Sequence, residues 1–144
     1  MRDVDILVKA GCSAAVVAHC IAVSMAALSI AERAKVNLDR ELVRQGGLFH
    51  DIGRSRTHGI GHAVAGVEIA RSLGFSKALT AIIERHIGAG ITASEAVRLG
   101  LPNQDYLPLT PEEKIVSYAD NLISGVREIP FPEALARFKK MVLS

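Results

Sequence analysis

Residues 48–53 read Leu-Phe-His-Asp-Ile-Gly, and the rest of the chain can be interpreted outward from this stretch. Two apolar residues come directly before His50 and Asp51, so we expect a buried helix to end at this pair. Neighbouring helical side chains point about 100° apart. One side chain of the pair can therefore bind a ligand terminally while the other reaches a second position. Gly53 then ends the helix, because glycine disfavours helical backbone.

The composition predicts one domain with a core of aliphatic side chains. A chain of 144 residues can bury a real core, and we interpret residues 1–144 as a single domain. Hydrophobic residues make up 49% of the chain and tryptophan is absent, so alanine, valine, isoleucine and leucine fill the interior. The net charge of +2 is too small to indicate a nucleic-acid or membrane surface, and the sequence has no basic patch interleaved with aromatic residues.

Capping residues and apolar periodicity predict helices along the whole chain. Ser13 is a good N-cap, and Thr110-Pro111-Glu112-Glu113 combines an N-cap, a proline at the first helical position and acidic residues in the first turn. The predicted helices lie at about residues 3–9, 13–35, 37–50, 62–73, 76–86, 92–100, 110–123 and from 130 onwards. No alternating apolar pattern stands out, so the predicted fold class is an all-α, compact helical bundle.

The segment of residues 14–31 carries no charge and raises the question of a membrane span or a signal peptide. It contains His19 and Ser24, however, and the residues before it include acidic as well as basic side chains. We therefore expect a central buried helix, no membrane association and a cytoplasmic location. Cys12 and Cys20 lie eight residues apart without a zinc-binding pattern, which fits a reducing compartment.

Several polar residues in apolar surroundings have ordinary structural explanations when each is taken singly. His19 can be a neutral core histidine bonded to a backbone carbonyl, and Asp120 can cap a helix or pair with an arginine. His86 can occupy the last turn of its helix, where a cation is favoured, and His62 can face solvent at the start of a helix.

Taken together, these polar residues indicate a metal centre. The candidate ligands are His19, His50, Asp51, His62, His86 and Asp120. Burying carboxylates and imidazoles without partners costs on the order of several kcal/mol, whereas a shared divalent cation neutralises the carboxylates and uses the imidazole lone pairs. Nitrogen and oxygen donors without a thiolate suit Mn, Fe, Co, Ni or Zn. Six donors are too many for one tetrahedral zinc ion and suit two ions bridged by Asp51.

In this order, His19, the His50-Asp51 pair and Asp120 resemble the H…HD…D pattern of the HD superfamily of metal-dependent phosphohydrolases. Ile52-Gly53 makes the match the HDIG variant, and the resemblance extends from about residue 12 to 121. It implies a helical HD-type fold and metal-assisted hydrolysis of phosphate esters. His62 and His86 resemble the two additional histidines of the binuclear branches, and by that similarity they serve the metals with Asp51 bridging.

Within that superfamily the chain is most similar to small archaeal-type HDIG proteins, including the run at residues 85–92. It lacks the Gly-Tyr-Pro motif of the HD-GYP cyclic-dinucleotide phosphodiesterases. The expected partner is therefore a phosphorylated small molecule or nucleotide, without further definition. The predicted last helix presents Arg137, Lys139 and Lys140 to solvent, and it can cover the core or form a homodimer contact.

The expected mechanism is attack on phosphorus by a metal-activated hydroxide, with Asp51 as the shared catalytic ligand. Arg54 follows the HDIG motif and is a candidate for binding the phosphate, since arginine does so bidentately; the alternative is a solvated arginine after a helix. Arg56 and His58 lie in the same glycine-containing loop. They are candidates for further phosphate contacts, and His58 for protonating the leaving oxygen.

Two other functions remain open at the level of sequence. Some HD-fold proteins bind a di-iron pair with a similar set of ligands and activate O₂, and the ligands alone do not distinguish them from hydrolases. A non-catalytic, nucleotide-binding HD module is the second alternative. The short chain and the Arg54, Arg56 and His58 loop favour an anionic phosphate and hydrolysis.

Overall fold

Side-chain caps begin most of the helices in the computed structural model, which describes residues 2–34, 37–87, 91–124 and 127–128. Ser13 accepts a hydrogen bond from the backbone N–H of Val16, and Thr110 accepts one from that of Glu113. The helices are α1 (Asp3–Ala10), α2 (Ala14–Arg33), α3 (Arg40–Phe49), a 3₁₀ helix (Ile52–Ser55), α4 (His62–Ser72), α5 (Lys77–Glu84), α6 (Ala93–Arg98) and α7 (Pro111–Leu122).

The all-α fold class is confirmed, with one small addition in the described part of the chain. The strands β1 (Ile123–Ser124) and β2 (Arg127–Glu128) form a two-residue antiparallel pair. The helix predicted at 110–123 includes Ile123, but the backbone of this residue is extended and its side chain is buried. A β-branched residue adopts this conformation readily. The glycine-rich turn at 88–90 and the predicted helix from residue 130 lie outside the described residues.

Helix α2 lies at the centre of the helical packing, against α3 and α7. It is long and apolar enough to cross a membrane by length and composition alone, with a mean hydropathy of 2.1 over its most apolar window. The side chains of Val23 and Ala27 are fully buried, whereas Ile21 and Met25 are exposed. The predicted central helix is therefore buried on one face only, because α3 and α7 cover one side of it.

Two glycines in α3 allow the helices to approach one another closely. A Cβ atom on Gly47 would lie 2.6 Å from the Cα atom of Ser24 in α2. A Cβ on Gly46 would lie 2.8 Å from the side chain of Ile82 in α5. The Ser24 hydroxyl donates a 2.8 Å hydrogen bond to the carbonyl of Arg44, which joins α2 to α3 at this crossing. This close packing places the end of α3, and with it His50, against both neighbouring helices.

The 3₁₀ helix after the His50-Asp51 pair is pressed against the start of α4. Ile52 is fully buried in the core. A Cβ atom on Gly53 would overlap the carbonyl oxygen of His62 and would lie 2.6 Å from the backbone nitrogen of Gly66. Only glycine permits this contact between the two backbones, since every other residue carries a Cβ atom. The Ile-Gly pair therefore brings Asp51 and His62 together.

We expect Gly53→Ala to destabilise the fold, because the added methyl group meets backbone rather than a side chain that can move. Overpacking of this kind costs about 1–3 kcal/mol. Gly59→Ala is the matched control, since its Cβ would meet only the Thr57 hydroxyl at 3.5 Å. Urea unfolding monitored by circular dichroism measures both variants, and equal free energies of unfolding would contradict the assigned role of Gly53.

Candidate metal centre

Six polar side chains from five segments of the chain converge in one place. They are His19 from α2, His50 after α3, Asp51 before the 3₁₀ helix, His62 from α4, His86 after α5 and Asp120 from α7. The structure thus brings together all six residues that the sequence proposed as ligands, in two groups that share Asp51. The alternative in which His62 faces solvent does not hold, because its side chain is buried.

The first group consists of two imidazoles and two carboxylates. The Asp120 Oδ1 atom lies 3.0 Å from His19 Nε2 and 3.2 Å from His50 Nε2. On the other side, Asp51 Oδ2 lies 3.5 Å and 3.4 Å from the same two nitrogens. The four donor atoms therefore surround one position that a single cation can occupy.

The second group faces the other oxygen of the same aspartate. Asp51 Oδ1 lies 3.3 Å from His62 Nε2 and 3.1 Å from His86 Nε2, and these two nitrogens are 3.0 Å apart. Because the two oxygens of Asp51 face different pairs of histidines, its carboxylate has the geometry of a bridging ligand.

Local hydrogen bonds determine which nitrogen of three histidines carries the proton. Nδ1 of His50 lies 2.6 Å from the carbonyl oxygen of Gly47, and Nδ1 of His62 lies 2.8 Å from that of Gly59. Nδ1 of His86 makes the same contact at 2.7 Å with a carbonyl in α5. A carbonyl only accepts hydrogen bonds, so Nδ1–H donates in each case and a neutral ring directs its Nε2 lone pair into the site.

Without a cation or an additional proton, electron pairs within the site would repel one another. The lone pairs of His62 Nε2 and His86 Nε2 face each other at 3.0 Å. Asp51 is buried, and its Oδ1 atom accepts no hydrogen bond from any residue that the structure describes. A buried carboxylate oxygen without a donor costs free energy, and a divalent cation removes both conflicts by accepting the lone pairs and neutralising the charge. The donor set therefore fits a divalent transition metal.

The charges in the site shift the pKa values of its members in opposite directions. Burial raises the pKa of the Asp51 carboxyl, but the imidazoles around it, His50 first, outweigh burial and hold that pKa well below its usual range. The pKa of Asp120 is lowered for the same reason. Burial lowers the pKa of His50, yet the charges of Asp51 and Asp120 hold it well above the usual 6.5. Without a metal, the carboxylates draw a proton onto His50.

An open cleft of about 270 Å³ leads to the first group. Its wall includes His19, Asp51, Arg54 and His58, with Ala15 and Val16 from the start of α2. Arg54 Nε lies 3.0 Å from Asp51 Oδ2, and its Nη1 donates a 3.2 Å hydrogen bond to the carbonyl of His58. The alternative of a solvated Arg54 is therefore wrong, because the guanidinium is bonded at the edge of the site.

Arg56 does not join Arg54 and His58 in the cleft. Its Nη1 lies 2.9 Å from Glu68 Oε2 in α4, and its side chain lines a different cavity. The 3₁₀ conformation explains this separation, because two residues along a helix with three residues per turn project to different sides. The sequence proposed all three as neighbours because they lie within five positions of each other.

The sequence interpretation also missed the carbonyl acceptors that orient the histidines. For His50, His62 and His86 the accepting carbonyl belongs to the residue three positions earlier in the chain. A backbone acceptor has no side-chain signature. The shared spacing becomes visible only after the histidines are recognised as a set.

Comparison with known proteins agrees with this geometry. The family model described as HD domain matches residues 16–125. An uncharacterised protein of Methanocaldococcus jannaschii is 56% identical over 137 residues, which cover 93% of this chain and 81% of the relative. A tRNA (cytidine(56)-2'-O)-methyltransferase of Thermoplasma volcanium is 43% identical over 136 residues. That match covers 94% of this chain but only 40% of the methyltransferase, so the chain corresponds to less than half of that relative.

Among solved structures, the HD domain of the L. monocytogenes phosphodiesterase PgpH has a similar fold. It aligns with a TM-score of 0.67 at 17% identity, covering 97% of this chain and 82% of that domain. The same domain in complex with cyclic-di-AMP also gives a TM-score of 0.67, at 15% identity. At this level of identity the likeness concerns the fold.

We expect the pH dependence of stability to reverse when a metal binds. A histidine with a raised folded-state pKa stabilises the fold below its unfolded pKa, and this contribution is lost as the pH rises through the folded-state pKa. In EDTA, the free energy of unfolding should therefore fall as the pH rises above 6.5, the usual pKa of His50. With Mn²⁺ the metal competes with that proton, so stabilisation by the metal should grow with pH. It would reach about 2.7 kcal/mol at 100 times Kd.

Urea titrations between pH 6 and pH 8, with EDTA or with Mn²⁺, measure this reversal. His50→Gln should flatten the profile in EDTA, whereas the exposed His58→Gln should leave it unchanged. A metal-free protein with a flat profile would contradict the proton assignment.

Proposed function

Because the chain belongs to the HD domain family, we propose that it is a metal-dependent phosphohydrolase that binds two divalent metal ions. The observation that carries this proposal is the orientation of Asp51, whose Oδ2 faces His19 and His50 while its Oδ1 faces His62 and His86. A single ion would use only one of these groups and would leave the other pair of imidazole lone pairs opposed. Two ions, one held by each group, would satisfy every donor.

The metals that suit this site are those that accept both nitrogen and oxygen, namely Fe, Mn, Ni, Co or Zn. The nearby cysteines do not alter this choice. Burial raises the pKa of the Cys20 thiol to about 11 and also raises the pKa of Cys12. Both therefore remain protonated thiols at neutral pH, and a thiol is a poor metal ligand.

The residues that line the cleft have different roles in the proposed hydrolysis of a phosphate ester. When bound, the ions lower the pKa of a water molecule and neutralise charge on the phosphate. Arg54 has five N–H donors and uses two of its nitrogens on Asp51 and the His58 carbonyl, which leaves donors for the phosphate oxygens. The exposed His58 side chain lines the cleft, where it can protonate the leaving oxygen. The carbonyls behind the histidines keep their Nε2 atoms turned inward.

The substrate class that fits best is a nucleotide phosphate ester, in particular a phosphodiester. The PgpH domain with a similar fold belongs to a phosphodiesterase, and its structure is also known in complex with cyclic-di-AMP. The relative from T. volcanium is named for a reaction on tRNA and contains a region similar to nearly all of this chain. The names of both proteins therefore refer to molecules built from nucleotides. The cleft of about 270 Å³ is small for a whole ligand and suits one phosphate with part of its nucleotide.

The alternatives predict different results with the same metal-loaded protein. An HD-fold oxygenase loaded anaerobically with iron would consume O₂ when substrate is added. A nucleotide-binding module would bind a nucleotide and return it intact after long incubation with Mn²⁺. A hydrolase releases a free phosphate end or inorganic phosphate in the absence of O₂.

Elemental analysis should find two metal ions per chain after anaerobic loading with Mn²⁺ or Fe²⁺. His62→Ala and His86→Ala each remove one ligand of the second group, so each should lower the content toward one ion. His58→Ala is the control and should retain two ions, because its side chain belongs to neither group. One ion per chain that is insensitive to His62 and His86 would contradict the binuclear site.

Arg54→Ala should lower kcat/KM for a phosphodiester substrate by about 10- to 100-fold, since charge-assisted hydrogen bonds contribute about 1.5–3 kcal/mol. Metal content should stay near that of the unchanged protein, because the ligands are intact. Arg54→Lys should recover part of the activity through its positive charge, and Arg98→Ala, at an exposed position of α6, serves as the control. Steady-state kinetics with Mn²⁺ and bis(p-nitrophenyl) phosphate measures these effects, and unchanged kinetics would contradict the role of Arg54.

A further inference from the structure

A second cavity shares no lining residue with the cleft. It has a volume of about 370 Å³ and is bounded by α1, α4 and the residue that ends the 3₁₀ helix. Two cationic side chains, Lys9 and Arg56, line it together with the hydroxyl residue Ser72. The remaining wall is apolar and includes Ile6, Ile69 and Leu73. None of the six candidate metal ligands belongs to it.

The charges of this cavity favour an anion. Arg56 is paired with Glu68, but both side chains are more than half exposed, at 52% and 63%. An ion pair at such a position is worth about 0–1 kcal/mol, so an anionic ligand can displace it at little cost. Lys9 lies in the last turn of α1 and is exposed. With one carboxylate against two cations, the cavity keeps an excess positive charge.

The apolar wall indicates that the ligand is more than a simple anion. A phosphate alone is bound by polar groups, whereas four of the seven residues that line this cavity are apolar. Leu73 is 47% exposed, although it is a large aliphatic side chain. A flat ring can pack on Ile69 and Leu73 while a phosphate contacts the cations, and one nucleotide unit combines these two groups.

The cavity and the cleft are neighbours because one short segment separates them. Arg54 lines the cleft and Arg56 lines the second cavity, and two residues of chain span at most about 7 Å between their Cα atoms. One strand that passes over this segment could therefore place a phosphate beside each arginine. Among the described residues that line the cleft, only Ala15 and Val16 are apolar.

We propose that the Lys9–Arg56 cavity binds a further nucleotide of the strand being cleaved, so that the preferred substrate is a single-stranded oligonucleotide rather than a mononucleotide. This inference rests on the proposed hydrolase function for its substrate, but binding in the cavity does not depend on catalysis. Contacts to the strand are made to its phosphates and base faces, which implies little discrimination between base sequences.

Binding of a fluorescein-labelled hexaribonucleotide to the full chain in EDTA, followed by fluorescence anisotropy, tests the cavity without hydrolysis. The double variant Lys9→Ala/Arg56→Ala should weaken binding about tenfold or more. It should also reduce the slope of log K against log salt by about 0.7 for each phosphate that the variant no longer neutralises. Lys9→Arg/Arg56→Lys should retain binding. The matched control Arg98→Ala/Lys114→Ala removes two exposed positive charges from other helices.

Equal weakening in both charge-removing variants would mean a general effect of net charge and would overturn the proposal. Competition by inorganic phosphate as effective as that by the oligonucleotide would reduce the cavity to a simple anion site and would also overturn it. With Mn²⁺, the cavity variant should raise KM for the hexanucleotide and leave hydrolysis of bis(p-nitrophenyl) phosphate unchanged. If no substrate is hydrolysed but the anisotropy result holds, the hydrolase assignment fails while the binding site stands.

Discussion

One buried carboxylate, that of Asp51, faces two pairs of imidazole nitrogens, and the rest of the structure is arranged around this contact. Each oxygen of Asp51 lies within 3.5 Å of two histidine Nε2 atoms. The histidines come from four different segments, so all four must stop at the correct distance from one residue. The glycines at 47 and 53 make this possible, because they let α2 and α4 approach the backbone on either side of the His50-Asp51 pair.

The electrostatics of the site follow from bonds that are local in the sequence. Three histidines donate Nδ1–H to the carbonyl three residues earlier, so each ring is oriented by its own stretch of backbone. The inward Nε2 lone pairs and two buried or half-buried carboxylates then form a site rich in electron pairs and poor in donors. Such a site binds protons or cations by default. Choice between them depends on pH, as the raised pKa of His50 indicates.

The helical fold, most helix starts and the set of candidate ligands could all be predicted from the amino-acid sequence. Capping residues such as Ser13 and Thr110 act on backbone groups within a few positions, so their effect can be read locally. The family resemblance followed from the order of the histidines and aspartates. The helix predicted at residues 110–123, by contrast, was one residue too long, because Ile123 belongs to the short strand pair.

Tertiary packing was needed to establish which oxygen of Asp51 faces which histidines, and that Arg56 turns away from Arg54 into a separate cavity. The orientation of Asp51 depends on contacts between distant parts of the chain, such as that between His19 and Asp120, which lie 101 positions apart. The sequence around either residue does not indicate how its side chain is oriented toward the other. The orientation of Arg56 depends on the conformation of one 3₁₀ turn, which is set by packing of Ile52 and Gly53 against the core and α4. Interactions within one turn of a helix can therefore be predicted from the sequence, because they involve residues a few positions apart. The direction in which a side chain crosses the core is determined by the packing of distant segments.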